Sequence, residues 1–156
     1  ALTIDGQGPE KHMGALNAAQ LARAFEVNTI GPALLLKHFV PLLATEQRSI
    51  YAKLSARVGS ISDNRKGGWY GYRAAKAALN MVLQTAAIEV ARKRPHLVVA
   101  AMQPGTVASS LSAPFVPAQD CLTAAQSVVG LLGALDDLPA QAAAHFVDYK
   151  GASIPW

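Results

Sequence analysis

HLVVAAMQP, residues 96 to 104, constrains this chain more than any other stretch. It is a run of apolar, partly β-branched residues closed by a proline at its end and preceded by Pro95. A strand of this kind has no polar face to show to water, so it belongs inside a parallel sheet covered on both sides. Parallel neighbours need long crossovers, normally helices, and the rest of the sequence has to provide them.

The flanking patterns fit that demand. Residues 1 to 16 hold three glycines and a proline without a sustained period and read as loop. Asn17 is placed to cap a helix running to about Leu43, with Gln20 at the capping-box position and apolar residues at Leu21, Phe25, Leu34, Leu35, Phe39 and Leu42. A bend is expected near Gly31-Pro32, because proline removes a hydrogen bond and crowds the preceding turn. SIYAKLSA, 49 to 56, reads as a short strand, and the polar, glycine-bearing segment 57 to 69 as a loop too hydrophilic for the core. Residues 72 to 93 form the strongest helical pattern, with Ala75, Leu79, Val82, Leu83, Ala86, Ile88 and Val90 on its apolar face and Pro95 as its stop. A proline-bearing loop from Pro104 precedes a helix over 119 to 135, and HFVDY, 145 to 149, reads as a last strand. The fold class is therefore α/β with a mainly parallel sheet.

Composition excludes several functions. With 51% hydrophobic and 15% charged residues, the 156-residue chain has the profile of a single globular domain rather than a disordered one. Net charge is +4, but the basic residues are scattered. The densest run, Arg92-Lys93-Arg94, sits at a helix end, where cations suit the dipole, so nucleic acid is not an expected partner. The lone Cys121 and the four histidines show no metal-ligand spacing, and no metal is expected. No apolar run approaches the roughly 20 residues of a membrane span and no signal pattern opens the chain, so a soluble, cytoplasmic protein is expected.

Chemistry is suggested by GGWYGYRAAKAALN, residues 67 to 80. Tyr72 and Lys76 are four apart on the helix, one turn apart on one face, while Tyr70 has Ala74 at the equivalent place. A nearby ammonium favours the phenolate and lowers a phenol pKa, making Tyr72 a candidate general acid. The spacing alone is weak, since four tyrosines and seven lysines give such a pair by chance in about one chain in six of this size. The bland alternative is a solvated helix face.

The wider pattern is more specific. Tyr-x-x-x-Lys at 72 to 76, SARVGS ending a strand, VNTIG at 27 to 31 and PGTVAS at 104 to 109 together resemble the short-chain dehydrogenase/reductase family. GSISDN, GGWYGYRAAKAALNM and YKGASIPW narrow the resemblance to its C-factor and sniffer-like carbonyl reductases. It covers essentially the whole chain and implies an NAD(P)-dependent oxidoreductase, with NAD or NADP as cofactor and a small carbonyl or alcohol as substrate. It implies that Tyr72 donates the proton, that Lys76 lowers the Tyr72 pKa and holds the nicotinamide ribose, and that Asn28 keeps a water in a relay with Lys76. Pro104 and Gly105 would turn the chain past the nicotinamide, and the Val107 backbone and Ser109 hydroxyl would contact it. The family serine that polarises the substrate carbonyl falls at Ala56. Ser55 or Ser60 must substitute, with Ser60 favoured, or both merely support the loop.

The resemblance also implies association through the helices at 17 to 43 and 72 to 93. The glycine-rich, phosphate-binding turn that opens such a domain has no match here. The expectation is that residues 1 to 156 are the C-terminal part of a doubly wound, Rossmann-like parallel sheet with helices on both faces, one domain without its N-terminal nucleotide-binding half. A non-catalytic interaction or signalling fragment is the alternative.

Overall fold

The computed structural model describes residues 1–156. Three parallel strands form one sheet in the order β1 (Ser49–Leu54), β2 (Leu97–Gln103), β3 (His145–Asp148). Tyr51 lies opposite Val99, and Met102 opposite both Leu54 and Val147. The central position of β2 accounts for its composition: every residue from Leu97 to Met102 is buried.

The two-residue period of a strand sends successive side chains to opposite faces. Leu97, Val99 and Ala101 join Leu79, Leu83 and Ala87 of α3 (Tyr70–Ala91) in the larger core. Ala100 and Met102 meet Ala134 of α4 (Ala124–Asp137), with Leu131 and Leu135 packed alongside. One crossover helix thus covers each face. The buried stripe of α3 is narrower than its sequence suggests: Ala75, Leu79, Leu83 and Ala87 line it at four-residue spacing, whereas Ile88 is exposed. No helix is long and apolar enough to cross a membrane.

The helical segment after Asn17 is continuous but changes type. The chain runs through α1 (Ala18–Phe25), a π-helical turn (Glu26–Ile30), α2 (Gly31–Phe39) and a 3-10 turn (Val40–Leu42). Asn17 caps α1 as expected, accepting from Ala19 N and Gln20 N, but Gln20 reaches Gly8 O instead of closing a capping box. The irregularity precedes Pro32 by most of a turn. Gly31 N reaches back five residues to Glu26 O, and the Asn28 amide donates to Ala24 O at 3.1 Å. A side chain thereby serves a carbonyl in the widened turn. Thr29 Oγ1 donates to Ala75 O at 2.8 Å and ties the turn to α3.

Helix α3 begins at Tyr70 rather than 72 and β1 ends at Leu54 rather than 56, and two further segments differ from expectation for local reasons. Helix α4 begins at Ala124, not 119, because Thr123 and Gln126 form a full capping box while Ala118–Asp120 is a separate 3-10 turn. Segment 57 to 69 is partly core: Gly59 and Ser60 are buried against the start of α3.

Candidate active site

Three consecutive left-handed residues, Gly67 (φ 62°), Gly68 (φ 65°) and Trp69 (φ 55°), turn the chain into α3. Glycine adopts this conformation without penalty, but for tryptophan it costs on the order of 1 kcal/mol or more and must be held by its surroundings. Trp69 N donates to Glu10 O at 2.5 Å. The Arg73 guanidinium donates to Gly68 O at 2.9 Å, Gly67 O at 3.1 Å and Val58 O at 3.4 Å. The indole packs edge-on against Phe115 (5.0 Å between centroids) and Tyr72 (6.5 Å).

Helix α3 has no side-chain cap of its own at Trp69. Glu10, from the opening loop and only 5% exposed, supplies one: its Oε2 accepts from Gly71 N at 3.0 Å. A carboxylate suits the positive end of a helix. Gly71 has to be small there, since a Cβ would lie 3.0 Å from Glu10 Oε1.

This scaffold separates the two tyrosines. Tyr70 is exposed, whereas Tyr72 and Lys76 line a cleft of about 570 Å³ together with the ends of β1 and β2 and the loop from Pro104 to Val116. Lys76 is 8% exposed, its Nζ donates to Leu54 O at 2.9 Å and lies 5.8 Å from the Tyr72 ring centroid. Burial pushes the Lys76 ammonium down to about 8. It pushes the Tyr72 phenol up, not down, because desolvation of a phenolate outweighs the lysine over the ring. At neutral pH both groups therefore hold their protons. The Tyr72 hydroxyl makes no hydrogen bond within the protein and is not sealed from the cleft.

The remaining residues divide. Gly105 (φ 79°) turns the chain away from β2, and Pro104 O accepts from Ser127 Oγ at 2.6 Å. Val107 O accepts from Ser112 Oγ at 2.5 Å and Ser109 Oγ at 3.3 Å, leaving Val107 N without an acceptor in the protein. Pro104, Gly105, Val107 and Ser109 all line the cleft, as does Ala56. Asn28 is 2% exposed and its amide spans Ala24 O and Ala1 O; it makes no direct hydrogen bond to Lys76, whose Nζ donates to Leu54 O of β1. Ser55 lines the cleft, but its hydroxyl donates to the buried Asn80 Oδ1 at 2.6 Å. Ser60, favoured from the sequence, is not brought to the cleft: it is 2% exposed and its hydroxyl accepts from Asp63 N at 3.0 Å, fixing the loop.

The donor set suits a nicotinamide ribose and carboxamide. It offers a buried ammonium, an unpaired backbone N–H and a serine hydroxyl, in a cleft whose only charged lining side chains are Arg57 and Lys76. The volume matches that of small-molecule sites, about 300–1,000 Å³. Sequence reasoning missed Glu10, Arg73 and Asn80. Each acts across long sequence separations or on a loop carbonyl, which no periodicity records.

Comparison with known proteins identifies the family. Residues 5–120 match the short chain dehydrogenase family. The chain is 32% identical over 145 residues to the C-signal of Myxococcus xanthus, covering 92% of this chain and 83% of that protein. Among solved structures, the carbonyl reductase Sniffer of D. melanogaster superposes with a TM-score of 0.82 at 24% identity, over 94% of this chain and 61% of that one. A short-chain dehydrogenase/reductase of Burkholderia multivorans with bound NADP gives 0.81 at 25% identity, over 95% of this chain and 61% of that one. The chain thus spans about three fifths of the solved proteins it resembles.

Proposed function

This chain belongs to the short-chain dehydrogenase family, and on that premise we propose that it carries the proton-transfer and nicotinamide end of an NAD(P)-dependent oxidoreductase acting on a small carbonyl or alcohol. The observation that carries the reading is the pairing of Tyr72, with its hydroxyl free, and the buried Lys76 in one apolar cleft. In the reducing direction the Tyr72 hydroxyl gives its proton to the substrate oxygen as the carbonyl becomes an alcohol. Lys76 stabilises the phenolate left behind and would donate to the ribose hydroxyls of a bound cofactor, whose carboxamide Val107 N and Ser109 Oγ would hold. A bound nicotinamide supplies the hydride in that direction and accepts it in the other. Trp69, Phe115 and Val58 exclude water around the reacting carbonyl. The NADP held by the Burkholderia relative supports a nicotinamide dinucleotide, NAD or NADP.

The test is turnover of NADPH and NADH with small aldehydes and ketones by the full-length protein, parent against Tyr72→Phe, alongside calorimetric titration of both cofactors. A loss of 100-fold or more in kcat with cofactor affinity kept is the expected result. Equal activity in the two proteins removes Tyr72 from the chemistry. A second reading, a non-catalytic interaction module, is favoured by one observation: Ala56 has no hydroxyl, and the hydroxyls of Ser55 and Ser60 are engaged elsewhere. Absence of cofactor binding to the folded protein would select it.

A further inference from the structure

Reduction of a carbonyl places negative charge on its oxygen, and one well-aimed donor to that oxygen is worth about 100- to 1,000-fold in rate. Tyr72 is one donor on the proposed reading. No serine completes the pair: Ala56 has no hydroxyl, Ser55 gives its proton to Asn80, and Ser60 lies outside the cleft.

We propose that the side-chain amide of Gln103 is the second donor to the substrate oxygen, a catalytic residue supplied by β2 instead of β1. This rests on Tyr72 being the acid. Gln103 is the last residue of β2 and lines the cleft with Tyr72 and Lys76. The register puts it beside the position the serine would occupy: Leu54 lies opposite Met102, and Ser55 N donates to Met102 O at 2.8 Å. The next residues in register are therefore Ser55 and Gln103, and Ala56, which follows Ser55, lines the same cleft as Gln103.

The amide is also oriented. Arg57 N donates to Gln103 Oε1 at 3.1 Å. A backbone N–H has only a proton to offer, so the oxygen must face it, and this fixes which end of the amide is which. The Nε2 end is then directed away from Arg57; it makes no hydrogen bond within the protein and is not sealed from solvent. A neutral NH₂ group, held by its own oxygen and left unpaired in the cleft, has the chemistry required of a carbonyl-polarising donor. Its position explains how a chain with alanine at the serine position keeps the other parts of the site.

The experiment compares Gln103→Glu, Gln103→Leu and Gln103→Leu/Ala56→Ser with the parent and Tyr72→Phe in the full-length protein, using NADPH and benzaldehyde. Gln103→Glu keeps an acceptor for Arg57 N and is nearly isosteric, so the loop stays in place, but its carboxylate donates nothing at neutral pH. It is expected to lose 10- to 100-fold in kcat at pH 7.5 and to regain activity relative to the parent as pH falls toward 5, where a protonated carboxyl donates again. A merely structural role gives no such pH-dependent recovery. Ala56→Ser is expected to restore at least ten-fold to Gln103→Leu. As a readout independent of turnover, the Gln103 side-chain amide signals in ¹H–¹⁵N spectra are expected to shift when acetophenone is added with NADP⁺. Unshifted signals, or kcat within three-fold of the parent in both single variants while Tyr72→Phe is inactive, overturn the role of Gln103 and leave the Tyr72 reading standing. An active Tyr72→Phe overturns both.

Discussion

Substituting alanine for Gly59 tests how tightly the loop after β1 is seated on the catalytic helix. Gly59 closes the 3-10 turn Arg57–Gly59, and its φ lies outside the left-handed region, so the added methyl group meets no backbone penalty. It meets α3 instead. An ideal Cβ would sit 2.9 Å from Lys76 Cβ, 3.0 Å from Lys76 C and 3.2 Å from Ala77 N, where ordinary contact begins at 3.4 Å. Two of these three atoms are helix backbone and cannot rotate aside, so the loop must retreat by roughly half an ångström. Overpacking of this kind costs about 1–3 kcal/mol. For a domain of about 150 residues that is a fall in Tm of about 2–12 °C. Gly133 in α4 is the control: a Cβ there has nothing within 4 Å. Alanine at that position gains about 0.4–1 kcal/mol from helix propensity and a less flexible unfolded chain, raising Tm by about 1–4 °C. Thermal melts followed by circular dichroism in one buffer read both signs. A Gly59→Ala protein melting within 1 °C of the parent would refute the close seating of loop on helix.

The Lys76 titration gives a stability signature. The folded protein releases this proton near 8, whereas the unfolded chain holds it to the ordinary lysine value of 10.5. Between those values the unfolded state binds more protons, so stability rises with pH, by up to about 3 kcal/mol. Tyr72, whose folded pKa is raised, opposes the rise only above about pH 10. Urea denaturation from pH 7 to 10 should show the gain in the parent and a flatter profile in Lys76→Met; parallel profiles would argue against a buried ammonium. Glu10→Ala removes the acceptor for Gly71 N and is expected to cost about 1–2 kcal/mol, with Glu10→Gln costing less, by the same denaturation assay. Equal midpoints for Glu10→Ala and the parent would mean that solvent caps α3 equally well.

The reach of the sequence ended where the contacts became long-range. HLVVAAMQP could be read as a two-sided buried strand because its composition records its solvent, and the four-residue spacing of Tyr72 and Lys76 recorded a helix face. Asn17 was legible as a cap because its bonds are to its own next turn. The family motifs identified the short-chain dehydrogenase fold, and the alternation of strand and helix its class.

What the sequence by itself determined was thus the order and kind of the elements and which tyrosine stands with the lysine: these depend on period and on near neighbours. Only the tertiary structure decided the rest of the site. Ser60 and Ser55 carry the same hydroxyl, yet one is turned toward Asp63 and the other toward Asn80, across 25 residues of chain. The α3 cap comes from Glu10, 61 residues before the amide it meets. The direction of the Tyr72 shift was reversed by burial, a property of everything packed around it. Hydrogen-bond direction and desolvation belong to positions in space, and those are fixed only after the sheet has brought distant residues together.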